Sequence, residues 1–454
     1  MNHNPNKAPA IQDTVLIIDD EKKLCGLLAR IIELEGFKVF QAYTGKEGLK
    51  ILKTEDVLVV LSDVKLPDYN GVELVSEIKK INPVIEVINL TAFGTISDGV
   101  MAMRNGAFDY ITKGDDNDKI IPLVYRAMDK AKLNARVYEL EKRIVKKHNF
   151  DAILGKSNSI REAIALAQKV AATSTTVLLL GETGTGKEVF AQAIHYEGPR
   201  KLKPFVAVNC SGFNSELLES ELFGYKAGAF TGAAKDKKGL LEEAHEGTIF
   251  LDEIGEMSLD LQAKLLRVLE NQTYIKVGDT QTRQVNVRII AATNRDLKTE
   301  AEAGRFRLDL FYRLSIFSIE LPPLSHRRED ILPIAMHYLA EFTAKVNKPE
   351  FTVDKDFVKL LTGHNWKGNI RELKNVMERV VILADDANIT ASLLPYEFHH
   401  QSAVADPMNM QTMEKQHIIK VLQFTKGNKT ETARLLGIGL TTLYRKVDEY
   451  HINV

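Results

Sequence analysis

The chain has 454 residues with a formal net charge of -1, and 27% of them are charged. That length exceeds what one hydrophobic core supports and points to about three domains, while the balanced charge excludes recognition by a globally basic or acidic surface. No apolar run reaches the roughly 18 residues that span a bilayer, and the polar start from Met1 to Ala10 is unlike a signal peptide, so a cytoplasmic protein with no membrane partner is expected. The two cysteines, Cys25 and Cys210, lack metal-ligand spacing and read as small buried apolar residues.

In chain order, Val15 to Ile18 reads as a buried strand, followed by a helix carrying Leu24, Leu27, Leu28 and Ile31 that stops at Gly36. Thr44 with Glu47 predicts a capping box, and Val57 to Leu61, Val84 to Leu90 and a short run around Tyr110 and Ile111 predict further strands. Such alternation gives a parallel sheet with helices on both faces and its chemistry at the carboxyl ends of the strands. Asp19, Asp20, Asp63, Thr91 and Lys113 fall at those ends. Three converging carboxylates require a cation, and a hard ion such as Mg2+ suits their oxygen ligands. Asp63 is then placed to attack a phosphoryl group, with Thr91 and Lys113 holding the new phosphate oxygens. Taken singly, each acidic strand end also fits a surface turn or a helix cap.

The acidic pair, Asp63 before Pro67 and Gly71, and Thr91, Tyr110 and Lys113 resemble the receiver domain of two-component response regulators, over residues 1–131. The resemblance implies a flavodoxin-like doubly wound fold and Mg2+ held by Asp19, Asp20 and Asp63. It further implies phosphorylation of Asp63 by a cognate sensor histidine kinase and a switch formed by Thr91, Tyr110 and Lys113. Gly114 stands where that family carries proline, which leaves the loop holding Lys113 looser.

Asp118 to Lys147 is helical in composition, and a connector is expected over 132–150. Leu133, Val137, Leu140 and Ile144 step by four, three and four, a spacing that fits either a short coiled-coil seam or a helix docked on its own domain.

The next unit, 151–396, opens on the strand Val177 to Leu180. The loop Gly181-Glu182-Thr183-Gly184-Thr185-Gly186-Lys187-Glu188 follows, then a helix through Ile194. Strand, glycine loop, lysine and helix in that order form a phosphate-binding loop for ATP, the glycines letting backbone N-H groups converge and Lys187 reaching the outer phosphates. Glu188 replaces the hydroxyl that such loops usually offer to Mg2+. A second signature, Thr248 to Leu251 ending in Asp252 and Glu253, supplies one carboxylate for the nucleotide's Mg2+ and one to activate water. Asn294 ends a later strand, where it can sense the terminal phosphate.

Gly228-Ala229-Phe230-Thr231-Gly232-Ala233 is flexible, and its aromatic residue calls for a cover. These residues resemble the sigma-54 contact loop of AAA+ activators of sigma-54 RNA polymerase, the NtrC family, and the likeness runs from about Ile153 to Pro395. It implies an AAA+ α/β ATPase with a helical lid, in which Glu188 is the usual residue. By the same likeness Asn209 restrains Glu253, and Arg307 and Arg313 are arginine fingers completing a neighbour's site, so that dimers assemble into a hexameric ring. Arg371 matches the second sensor arginine, and Lys367 replaces a proline usual at that helix start.

Residues 397–412 read as a linker, and 413–454 as an all-α domain with helices at Gln416 to Thr425, Thr430 to Leu436 and Thr441 to Tyr450. From Glu414 onward seven basic residues face four acidic ones, and the glycine turn at Gly437 to Gly439 predicts a helix-turn-helix, with a three-helix interaction module as the alternative. The segment resembles the Fis-type module that ends these activators. The likeness implies contacts with promoter-upstream DNA through Thr441, Thr442, Tyr444, Arg445 and Lys446. Together these parts predict a phosphorylation-controlled ATPase that activates sigma-54 transcription. An AAA+ unfoldase and a non-enzymatic repressor are the readings to be discriminated by DNA binding and by ATP turnover.

Overall fold

The computed structural model describes residues 13–91, 96–113, 117–399, 410–425, 427–450 and 452. The chain divides into two units, Met1–Lys147 and His148–Val454.

The first unit alternates β1 (Thr14–Ile18), α1 (Lys22–Leu34), β2 (Lys38–Ala42), α2 (Gly45–Thr54), β3 (Val59–Asp63), α3 (Gly71–Ile81), β4 (Glu86–Thr91), α4 (Ile96–Arg104), β5 (Asp109–Thr112) and α5 (Asn117–Lys147). The strands pair in parallel in the order β2-β1-β3-β4-β5. Every residue of β1, β3 and β4 is buried, as expected of strands covered by helices on both faces. Because the chain leaves β1 for β2 on one side and returns to β3 on the other, the carboxyl ends of β1 and β3 open a crevice. The first half of the capping box forms, Thr44 Oγ1 accepting from the Glu47 N-H at 3.2 Å, while the Glu47 carboxylate accepts from the N-H of Tyr43, one residue before the cap, at 2.8 Å.

Two boundaries differ from expectation. β3 and β4 each begin two residues later than the apolar runs suggest: Val57, Val84 and Ile85 are buried on the approach to the ladder without pairing in it, while Leu58 already bonds the Thr14 carbonyl and the Glu86 N-H at 3.1 and 3.0 Å. Asp63 and Thr91 are correspondingly the last residues inside their strands. α5 runs unbroken from Asn117 through Lys147, as the helical composition from Asp118 to Lys147 predicts. Its first half buries Leu123, Val124, Ala127, Met128 and Ala131 against the sheet, and its second half leaves Leu133, Val137, Leu140 and Ile144 exposed.

The second unit contains α6 (Asn158–Ala171), β6 (Val177–Leu180), α7 (Lys187–Tyr196), β7 (Phe205–Asn209), α8 (Ser215–Phe223), α9 (Leu240–Glu243), β8 (Thr248–Asp252) and α10 (Leu259–Asn271). A hairpin of β9 (Thr273–Ile275) and β10 (Thr282–Gln284) precedes β11 (Arg288–Thr293), α11 (Leu297–Glu302), α12 (Leu308–Leu314) and β12 (Ser318–Glu320). Its parallel sheet has the order β12-β6-β11-β8-β7, with Leu180 beside Thr293 and Asn209 beside Asp252. One core lies against α10 and α12, the other against α6 and α7.

A helical lid follows as α13 (Arg328–Lys345), β13 (Thr352–Val353), α14 (Lys355–Gly363), α15 (Asn369–Leu383), β14 (Asn388–Ile389) and α16 (Tyr396–His399), built around the fully buried Trp366. Then come α17 (Met410–Phe424), α18 (Lys429–Leu436) and α19 (Leu440–Glu449), with a small core of Ile418, Leu422, Ala433, Leu443 and Val447. α16 and the start of α17 occupy residues expected to be linker. Among the described residues, no helix is long and apolar enough to cross a membrane.

Candidate functional sites

In the first unit, Asp19, Asp20 and Asp63 each bring a carboxylate oxygen within 4.8 Å of the others. Asp19 is fully buried and Asp63 nearly so, while Asp20 faces outward. Lys113 reaches between them, donating to Asp19 Oδ2 at 2.7 Å and Asp63 Oδ2 at 2.9 Å. Burial alone would lower the Lys113 ammonium, but these two bonds outweigh it and hold the group above its usual range. Thr91 lies beside them, its carbonyl accepting from the Lys113 N-H at 2.6 Å. Gly71 is required where it stands, because a Cβ would come within 2.0 Å of the Asp63 carbonyl oxygen. Tyr110 packs against Gly99 of α4. Gly114 lies outside the described residues.

The oxygen-only donor set fits a hard divalent ion. Asp19, Asp20 and Asp63 are the residues that would hold it, and it would supply charge neutralisation for phosphoryl transfer.

In the second unit, a cavity of about 600 Å3 is lined by Thr183 through Phe190, Asn209, Asp252, Glu253 and Arg371, and by lid residues beyond them. The loop after β6 folds back on itself: Gly184 and Gly186 take φ of +82° and +105°, and Thr185 Oγ1 donates to the Glu182 carbonyl at 2.8 Å. Lys187 is buried and donates to the Gly181 and Glu182 carbonyls at 2.8 and 3.1 Å. Burial lowers its ammonium, opposed by Asp252 and Glu253, and burial raises the Asp252 carboxyl, opposed by the Glu253 N-H and by Lys187. A polyphosphate with its cation suits this pairing, since it offers anionic oxygens to Lys187 and a positive partner to Asp252.

Glu253 takes a left-handed φ of +53°, a conformation costing a non-glycine residue roughly 1 kcal/mol and one associated with functional positions. Glu188 is exposed and bonded to Gln192 at 3.3 Å, and Asn294 reaches Thr183 Oγ1 at 3.3 Å. The Asn209 carboxamide oxygen accepts from the Ser211 N-H and hydroxyl at 2.9 and 2.8 Å, and no hydrogen bond joins Asn209 to Glu253 among the described residues. Arg307 and Arg313 do not line this cavity. Arg307 pairs with Asp309 at 2.7 Å, and Arg313 donates to the Leu269 carbonyl at 3.3 Å.

The same parts appear in known proteins. Residues 15–125 match the response regulator receiver domain, 153–320 the sigma-54 interaction domain, 325–411 the AAA+ ATPase lid domain and 410–450 the bacterial regulatory protein Fis family. The regulatory protein AtoC of Escherichia coli is 39% identical over 97% of this chain and 98% of its own length. The chain belongs to the sigma-54-dependent response regulators. Another member, the transcriptional regulatory protein GlrR of Escherichia coli, is 39% identical over 97% of both chains. The crystal structure of NtrX from Brucella abortus in complex with ATP aligns with a TM-score of 0.62 at 32% identity, covering 97% of this chain and 99% of that one. As a sigma-54-dependent response regulator the protein is a phosphorylation-controlled transcriptional activator with an AAA+ ATPase.

Among the cavity residues of this regulator that the sequence analysis did not single out are Arg327, Ile334 and Tyr338. They come from the start of the lid, where α13 has no clear apolar stripe to show which residues turn toward another module. Arg327 is 1% exposed and donates to the Thr185 carbonyl at 3.1 Å.

Phe230 is 46% exposed, its ring meeting Tyr225 edge-on at 4.9 Å, so the cover expected for it is only partial within the chain. The loop is closed by hydrogen bonds from the Gly228 N-H to the Ala233 carbonyl at 2.8 Å and from the Ala233 N-H to the Phe230 carbonyl at 3.0 Å. Gly232 and Thr231 are exposed in its tip, and Ala229 packs against Gly278 in the β9–β10 turn.

In the helix-turn-helix, Gly437 takes φ of +67° and ends α18, and α19 exposes Thr441, Tyr444 and Arg445, with Thr442 half-buried. Lys446, expected with Arg445 to contact DNA, also has partners within the domain. It pairs with Glu414 at 2.6 Å and lies over the Tyr450 ring, which ties α19 to α17.

Proposed function

We propose that Asp63 accepts a phosphoryl group from a cognate sensor histidine kinase, with Mg2+ on Asp19, Asp20 and Asp63, and that Thr91, Tyr110 and Lys113 read the change. Phosphorylation favours assembly of dimers into a hexameric ring. The exposed stripe of Leu133, Val137, Leu140 and Ile144 supports helix pairing in the dimer, and the exposed Leu308 and Tyr312 of α12, beside Arg307, support a subunit contact in the ring. In each ring site Lys187 and the loop Gly181 to Gly186 hold ATP, with Glu188 at the loop's end. Asp252 orients its Mg2+, Glu253 activates water, Asn294 and Arg371 read the terminal phosphate, and Asn209 governs Glu253. Gly228 to Ala233, led by Phe230, press on sigma-54 and remodel the closed promoter complex. Thr441, Thr442, Tyr444 and Arg445 contact promoter-upstream DNA, while Lys446 steadies their helix. The assembly works in the cytoplasm.

The observation that carries the shared site is that Arg307 and Arg313 stand outside their own chain's cavity. An arginine supplied in trans stabilises charge developing on the transferred phosphate. Glu253→Gln and Arg307→Ala proteins should each lose ATP turnover alone and regain a fraction of it when mixed, since some interfaces then join an intact cavity to an intact arginine. Mixtures as inactive as the separate variants would refute the shared site.

A further inference from the structure

Besides Arg327, the lid reaches the phosphate loop through the turn that opens α15. Within it Asn369 is fully buried and takes φ of +53°, a left-handed conformation that asparagine tolerates better than most residues. Its carboxamide joins three segments. Nδ2 donates to Glu182 Oε2 at 2.9 Å and to the Thr183 carbonyl at 3.1 Å, and Oδ1 accepts from the Leu324 N-H at 2.7 Å. The next residue, Ile370, donates its N-H to the Gly184 carbonyl at 2.9 Å. The approach is close, because a Cβ on Gly184 would lie 2.3 Å from the Gly368 carbonyl oxygen.

We propose that Asn369 is a positioning residue for ATP hydrolysis, setting the shape of the phosphate loop from the lid side. The peptide unit is planar and trans, so tying the Thr183 and Gly184 carbonyls to the lid directs the following N-H groups, of Gly184 and Thr185, to the opposite side. Those are the donors a phosphate-binding loop must aim. Arg371 follows Asn369 by one turn residue, so the contact that shapes the loop also fixes where Arg371 starts. The Glu182 carboxylate, with no phosphate role of its own in this arrangement, serves as the loop's handle for the lid.

This inference rests on the ATP site proposed above, which ATP turnover by the parent chain tests independently. In the full-length protein, Asn369→Asp removes the donor and sets a carboxylate against Glu182, so KM for ATP should rise about tenfold or more with kcat changed less. Adding Glu182→Gln supplies a donor from the loop side and should recover at least threefold of that loss, measured against Glu182→Gln alone. Asn369→Gly keeps the left-handed turn while removing the side chain, and it should raise KM in the same sense, which secures the test if the aspartate variant does not fold. A KM within twofold of the parent in the folded variants, or no recovery in the double variant, would overturn the proposal, since a residue needed only for lid stability lowers the active fraction without moving KM.

Discussion

Lys113 sits 2.9 Å from Asp63 and 2.7 Å from Asp19, and the proposed phosphorylation control acts through that small network. Asp63→Asn should abolish incorporation of phosphate from acetyl phosphate, and labelling that persists in this variant would remove Asp63 as the acceptor. A second residue-scale expectation concerns His195, whose Nδ1 lies 2.9 Å from Thr248 Oγ1 in the core of the ATPase unit. Burial pushes its imidazole from the usual 6.5 down to about 4. The folded state therefore keeps it neutral while the unfolded chain protonates it. Its contribution is present above pH 6.5 and is lost as pH falls, reaching about 3 kcal/mol of destabilisation near pH 4. Chemical denaturation across that window should show a shallower acid loss for His195→Gln than for the parent, and parallel curves would contradict it. Both carboxylate groups and the loop lysine were legible in the sequence because each ends a strand or opens a helix. Asn369 and Arg327 were not, because their importance lies in contacts with residues more than a hundred positions away.

At the scale of elements, strands and helices followed from apolar periodicity, and the errors fell where periodicity is silent. Buried approach residues such as Val57 and Val84 extend an apolar run without entering the ladder. α5 continues past the receiver core because nothing in its sequence stops it, and only the change from buried Ala131 to exposed Leu133 marks where its role changes. If the exposed stripe pairs two chains, Leu140→Glu should weaken self-association at least tenfold in analytical ultracentrifugation. An unchanged dimer would leave the helix without that role. The loop-to-lid contact predicts that Gly184→Ala, blocked both by φ of +82° and by the Gly368 carbonyl, loses about 2 kcal/mol of stability, seen as several degrees in the thermal midpoint. A midpoint equal to the parent's would mean that the lid and loop separate freely.

For the whole molecule, the order receiver, AAA+ ATPase and helix-turn-helix was readable because each part carries its own motif, at strand ends in the first two and at a glycine turn between helices in the third. Arg307 and Arg313 stand apart from the cavity of their own chain, as the shared site proposed for the ring requires. Phe230 is half-exposed on a loop closed by hydrogen bonds, and the proposed contact with sigma-54 rests on it. The most direct measurement is therefore open-complex formation at a sigma-54 promoter by phosphorylated Phe230→Ala protein, with ATP turnover followed in the same samples. The account predicts assembly and ATP hydrolysis within about twofold of the parent and no open complexes. Promoter opening at the parent's rate would contradict it.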